Sequence, residues 1–231
     1  MAKILTSLWG NLNPALIADF YEVDRNGKRI GPDVIVQAPL SESNLSMTQN
    51  WQSPFENAGQ SNLPTLQQLL QSGSLAQFTE KLGVGGGVSK TISNFEGKST
   101  VTKLNSTQVW SGSAPAKWQI TAVFRAWKDP KKEVENPVDQ LAKWHLPKYL
   151  EDGGLILSAL NNGTVFPSTV PSILAVKYKN HTYSPLVIES FDYPTNSQIN
   201  SDGEYVELSV PMTLATLASI DVRDWKSFSN K

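Results

Sequence analysis

Cysteine is missing from all 231 residues. Its absence excludes disulfides, thiolate nucleophiles, zinc sites built on thiolates and iron–sulfur clusters together. Histidine occurs only twice, as His145 and His181, so a metal site would have to lean on carboxylates, and no Asp run with glycine has the spacing of a calcium loop. Charge is also scarce. Asp, Glu, Lys and Arg make up 18% of the chain, against about 25% in ordinary soluble domains. The signs nearly cancel, 20 basic against 21 acidic residues for a net charge of -1; without a basic block, nucleic acid is not the expected ligand. No apolar run approaches the roughly 20 residues that span a membrane. From Met1 to Leu8 there is one lysine and a short mixed apolar run, with no small-residue cleavage pattern, so no secretory signal is expected and synthesis in the cytoplasm is. What is abundant instead is Ser, Thr, Asn and Gln between the apolar runs, an uncharged polar surface suited to close neighbours.

The length suits one elaborated domain or a domain with large insertions. Two β-prone runs, Pro14 to Val23 and Lys28 to Val36, flank Asp24-Arg25-Asn26-Gly27, and Asn-Gly predicts a hairpin in which both central residues take positive φ. Between Asn62 and Leu82 the period becomes helical at Leu66, Leu69, Leu70, Leu75, Phe78 and Leu82. Pro64 stands in the first turn, and Gly73-Ser74 divides the stretch into two short helices. From Gly83 to Thr107 the composition turns to Gly, Ser, Thr, Asn and Lys, the pattern of a mobile loop.

Order returns with Trp118, Ile120, Ala122, Phe124 and Ala126, which alternate with polar positions and predict a half-buried strand. Asn136 reads as an N-cap, with Pro137 at the first helical position, Val138, Leu141, Ala142 and His145 on one stripe, and Pro147 as the stop. Strands follow at Ile173 to Tyr178 and Leu186 to Tyr193, with a turn near Asn180 and a polar loop from Asn196 to Gly203. Last comes a long alternation in which Val206, Leu208, Val210, Met212 and Leu214 share a face. Pro211 inside it removes a ladder donor and predicts an edge or a bulge. No repeat period is present. The order predicts a mainly β, β-rich α+β fold: one antiparallel sandwich or barrel over 1–231 with short inserted helices and a helical, Gly-rich insertion at about 62–107.

Candidate chemistry is thin. Gly83-Val84-Gly85-Gly86-Gly87-Val88-Ser89-Lys90-Thr91 invites comparison with a phosphate-cradling loop, but Ser89 and Val84 stand where that loop needs glycines and no strand feeds it. Neither histidine lies beside a nucleophile elbow, and a structural role is expected for both. Glu133, Glu135, Asp139, Glu151, Asp152, Glu189 and Asp192 are numerous enough for carboxylate-pair glycoside hydrolysis. Most stand beside lysines and read as a solvated face. The Asn-x-Ser/Thr sites at Asn44, Asn105, Asn162 and Asn180 are read as chance. No catalytic, cofactor or metal residue is therefore assigned. Seven tryptophans are many for this length. Trp118 is in phase with its strand's apolar face and reads as core. Trp127 is out of phase and Trp51 lies in a polar run; with Trp110 and Trp225 they are the interface candidates.

The segment Trp118-Gln119-Ile120-Thr121-Ala122-Val123-Phe124-Arg125-Ala126-Trp127, the Lys-Asp-Pro after it, the helix from Pro137 to Leu146, the run Pro185-Leu186-Val187-Ile188-Glu189-Ser190-Phe191-Asp192-Tyr193 and the final strand Val206 to Leu214 together resemble baseplate tail-tube initiator and hub proteins of contractile-tailed bacteriophages. The resemblance covers Gln108 to Phe228, with weaker support from Asn44 to Glu56. It implies a barrel or sandwich of the tail-tube type whose copies join in a ring, commonly a hexamer, in the virion baseplate, assembled in the host cytoplasm against tail-tube and hub proteins. It implies no enzymatic activity, no cofactor, no nucleic-acid specificity and no membrane. Contacts within or between rings are then expected at Trp51, Phe55, Trp110, Trp127, Trp225 and the loop holding Gly85, Gly86, Gly87 and Lys90. A different class, a Trp-rich β-sandwich carbohydrate-binding module, is the alternative.

Overall fold

The structure is a computed structural model, and it describes residues 3–30, 34–52, 107–150 and 168–230. The helices expected between 62 and 82, the 83–107 loop but for Thr107, and the candidate contacts Phe55, Gly85, Gly86, Gly87 and Lys90 lie outside the described residues. The chain divides into two compact units, Met1–Thr48 with Ser113–Lys231, and Gln49–Gly112.

The first unit is mainly β. Strands β1 (Lys3–Leu5), β2 (Ile17–Glu22), β3 (Val34–Ser46), β6 (Lys117–Arg125), β7 (Leu174–Tyr178), β8 (His181–Phe191), β9 (Glu207–Thr216) and β10 (Ser229–Asn230) belong to one sheet, and β4 (Gln49–Gln52) with β5 (Val109–Ser113) makes a separate two-stranded ribbon. The hydrogen-bonded order runs β3-β2-β7-β8-β9-β6, and β6 pairs with β3 again. The sheet thus closes into a six-stranded antiparallel barrel. Closure falls to β3 because it is long enough for two neighbours on one edge. Its start pairs in parallel with β1 up to Val36, and from Leu40 onward it pairs with β6, through a register shift between Leu40 and Glu42.

Period-two alternation fills the interior. Trp118, Ile120, Ala122 and Phe124 of β6 and Leu208, Val210, Met212 and Leu214 of β9 are buried with Phe20, Val36, Val176 and Leu186 from the other strands. Each large apolar side chain so buried contributes about 1.5–3 kcal/mol. Pro211, in register with Thr121 of β6, lies where the β8 ladder runs out: the last pair is Phe191 with Met212, and one bond from Asp192 N–H to Pro211 O follows. The missing donor faces the side that has no more ladder to make. The expected bulge belongs to the partner strand, between Ile188 and Ser190 of β8.

Two expectations need correction. The hairpin joining β2 to β3 forms, but of Asn26-Gly27 only Gly27 has positive φ (77°). Asp24 explains this: its Oδ1 accepts the N–H groups of Asn26 and Lys28 and its carbonyl that of Gly27, a turn closed by one left-handed glycine. Among the described residues, the turn with two left-handed residues is Lys179-Asn180 (φ 49° and 64°), between β7 and β8. Asn136, for its part, is no cap. A π-helical turn, Lys131–Glu135, runs directly into helix α1, Asn136–His145. The cap is Asp129, whose Oδ1 accepts the Lys132 N–H, with Pro130 after it. The widened turn, in which the Asn136 N–H reaches Lys131 O, gives the Pro137 ring room inside a continuing helix. The end is as expected: Leu146 is extended (ψ 147°) ahead of Pro147.

Helix α1 packs against β3 and β8, which lie across the barrel from one another, and so covers the mouth where β6 ends. Val138, Leu141 and Trp144 point into the core, and His145 Nδ1 meets Ile188 O at 3.1 Å. Trp118, Tyr178, Tyr183 and Phe228 stack at the other mouth, the last from helix α2 (Val222–Phe228).

Candidate interaction surfaces

Exposure sorts the tryptophans. Trp118 and Trp144 are buried, whereas Trp51, Trp110, Trp127 and Trp225 expose 55%, 54%, 57% and 41% of their surface. Trp118 is core as its phase implied, and its Nε1 donates to Ser43 Oγ at 3.0 Å.

Trp127 is held rather than loose. It follows β6 by two residues, and its N–H donates to Glu133 Oε2 at 2.7 Å. The same buried carboxylate accepts the N–H groups of Lys128 and Asp129, so one side chain fixes the corner between strand and helix. The indole lies under the Arg125 guanidinium at 5.3 Å, and Arg125 Nε pairs with Glu207 Oε2 at 3.6 Å across the β6–β9 ladder. An exposed aromatic with a fixed backbone and a stacked cation is a preorganised anchor.

At the opposite end of that ladder, past Thr216, lies a mostly apolar cavity of about 280 Å³. Pro185, Ala218, Ile220 and Phe228 supply apolar wall; Arg25 and Asp224 bring the charges. Trp225 stands on α2, 6.2 Å from the Phe228 ring, with exposed Leu217 and Val222 in the same terminal segment. In the second unit, Trp51 and Trp110 occupy paired strands of the ribbon, where Trp110 Nε1 donates to Gln49 Oε1 at 2.9 Å.

The carboxylates are largely occupied. Glu133 is committed to the main chain, Glu189 pairs with Lys117 at 2.6 Å, and Glu135 accepts the Tyr205 N–H. Glu135 and Asp139 do converge near Tyr193, whose hydroxyl is pushed up by burial first and then by Tyr205, Asp139 and Glu135. Glu151 and Asp152 lie outside the described residues, and among those described no group of three or more acidic or histidine side chains is placed to hold a metal. His145 stacks on Phe191, and His181 opens β8 directly after the turn.

Sequence reasoning missed the residues that hold Trp127. Arg125 and Glu207 sit at outward phases of two strands that only the fold makes neighbours, and Glu133 looked like part of a lysine-rich solvated run. Pairing with β3 on one side and β9 on the other occupies both edges of β6 within the chain.

No protein-family model matches the chain, and no curated protein is significantly similar to it.

Proposed function

We propose that the protein is a structural virion component, a ring-forming part of a contractile phage tail baseplate that initiates the tail tube or connects to it. The observation that carries this reading is the placing of exposed tryptophans at both ends of one ladder: Trp127 where β6 and β9 meet helix α1, Trp225 where β9 has given way to α2. A subunit of a closed ring has two neighbours and needs two distinct contact surfaces. The order of strand, helix, strand and long final strand, on which the likeness to tail-tube initiators rests, supports the same reading. The function follows as templating, in which a ring offers the surface on which the first tube ring assembles.

Size exclusion with light scattering, then negative-stain imaging, tests the reading. Rings or short tubes are expected. A second reading, sugar binding by stacking, is favoured by one feature, the exposed Trp51 and Trp110 on paired strands. A protein that stays monomeric at every concentration and is retained on polysaccharide would replace the first reading with the second.

A further inference from the structure

The two ends of the β6–β9 ladder differ in shape: one carries a knob, the other a hole. We propose that copies of this chain join head to tail, the Trp127 indole of one copy seating in the cavity beside Ala218 and Phe228 of the next. The proposal rests on the ring reading and names its contact.

The knob is ready-made. Glu133 holds the Trp127 backbone and Arg125 lies over the ring, so docking orders little that is not already ordered. The hole, at about 280 Å³, falls just under the range that takes drug-sized molecules, room for one large aromatic side chain against Pro185, Ile220 and Phe228. Charge matches as well. Arg125 and Glu207 flank the knob as an ion pair, and Asp224 and Arg25 line the hole. Seating the indole sets Arg125 against Asp224 and Glu207 against Arg25, a complementary exchange that fixes the orientation. The knob lies beside Glu207, the first residue of β9, and the hole opens at Thr216, the last. With about 30 Å of strand between them, one copy cannot fill its own hole. A contact between two different patches is heterologous, and it closes into a ring when the rotation between copies allows.

Two variants that complement each other test this. Trp127→Ala removes the knob and keeps the hole; Ala218→Trp, at an exposed position, fills the hole and keeps the knob. Circular dichroism and melting curves first establish that both are folded. Each alone is expected to lose self-association by about tenfold or more. Mixed one to one, they are expected to give a dimer and nothing larger, because a single working contact remains. Either variant assembling like the wild type, or folded variants that fail to pair when mixed, would overturn the proposal. If Trp127→Ala still forms rings in negative stain, the knob contact falls and the ring reading stands. If the wild-type chain is monomeric even at millimolar concentration, both fall.

Discussion

The Ser7 hydroxyl donates to the main-chain carbonyl of Glu133, 3.0 Å away and buried, across 126 positions of sequence. That carbonyl is the one an α-helix would satisfy from residue 137, and residue 137 is proline. A side chain from the segment after β1 therefore supplies the donor that the helix lacks, and ties the start of the chain to the corner that carries Trp127.

Ser7→Ala should leave a buried carbonyl unpaired and cost about 1–3 kcal/mol. Urea unfolding monitored by tryptophan fluorescence measures it. A loss below about 0.5 kcal/mol would mean that the Glu133 carbonyl finds another donor.

Glu133 gives a second test at the same corner, because its carboxylate takes three main-chain N–H groups. Glu133→Ala should destabilise by about 2–4 kcal/mol, more than Ser7→Ala, since bonds to a charged acceptor are the stronger kind. Glu133→Gln keeps one acceptor oxygen and should recover part of the loss. Equal losses for the two substitutions would show that the packing and the single acceptor oxygen kept by glutamine contribute nothing, leaving the ionised carboxylate to set the whole cost.

Glu22 makes stability depend on pH. Burial pushes its carboxyl up, but hydrogen bonds from Ser172 Oγ and Lys148 Nζ, with the lysine's charge, bring it below the ordinary carboxylate range. A carboxyl depressed in the folded state adds stability that is complete above its unfolded value and lost as pH falls through the folded one. The stability gap between wild type and Glu22→Gln should therefore be widest at neutral pH and shrink on acidification. A gap that stays constant into the acid range would refute the linkage.

Legibility in the sequence followed the range of the interaction. Strand phase was readable because burial alternates locally: Trp118 to Phe124 and Leu208 to Leu214 are buried at the positions their period implied. Helix start failed at Asn136-Pro137 because Asp129-Pro130 carries the same cap-and-proline signature, and only a π-helical turn tolerates the second proline. The left-handed pair was expected at Asn26-Gly27 and occurs at Lys179-Asn180, where a two-residue connection between β7 and β8 demands it whatever the residue type. The choice between barrel and sandwich was out of reach, since closure depends on β3 pairing with β6 across a long stretch of intervening chain. For the surface, the phase of Trp127 and the polar run around Trp51 pointed outward, and both are exposed. The Arg125–Glu207 pair and the cavity past Thr216 exist only once β6 and β9 lie side by side.

Gly27 and Gly203 separate conformational strain from crowding. Both have positive φ, 77° and 84°, but a Cβ on Gly27 would meet Ser184 Oγ at 2.9 Å, whereas none of the described residues comes within 4 Å of one on Gly203. Gly203→Ala should then lose only the left-handed allowance, about 1 kcal/mol, and Gly27→Ala should lose more. Ser184 Oγ is buried with no hydrogen-bond partner among the described residues, so Ser184→Ala alone should be near neutral or mildly stabilising. Combined with Gly27→Ala, it should return the excess over Gly203→Ala. Thermal unfolding of the four variants measures each step, and strict additivity of Gly27→Ala and Ser184→Ala would mean that the hydroxyl and the new methyl never meet.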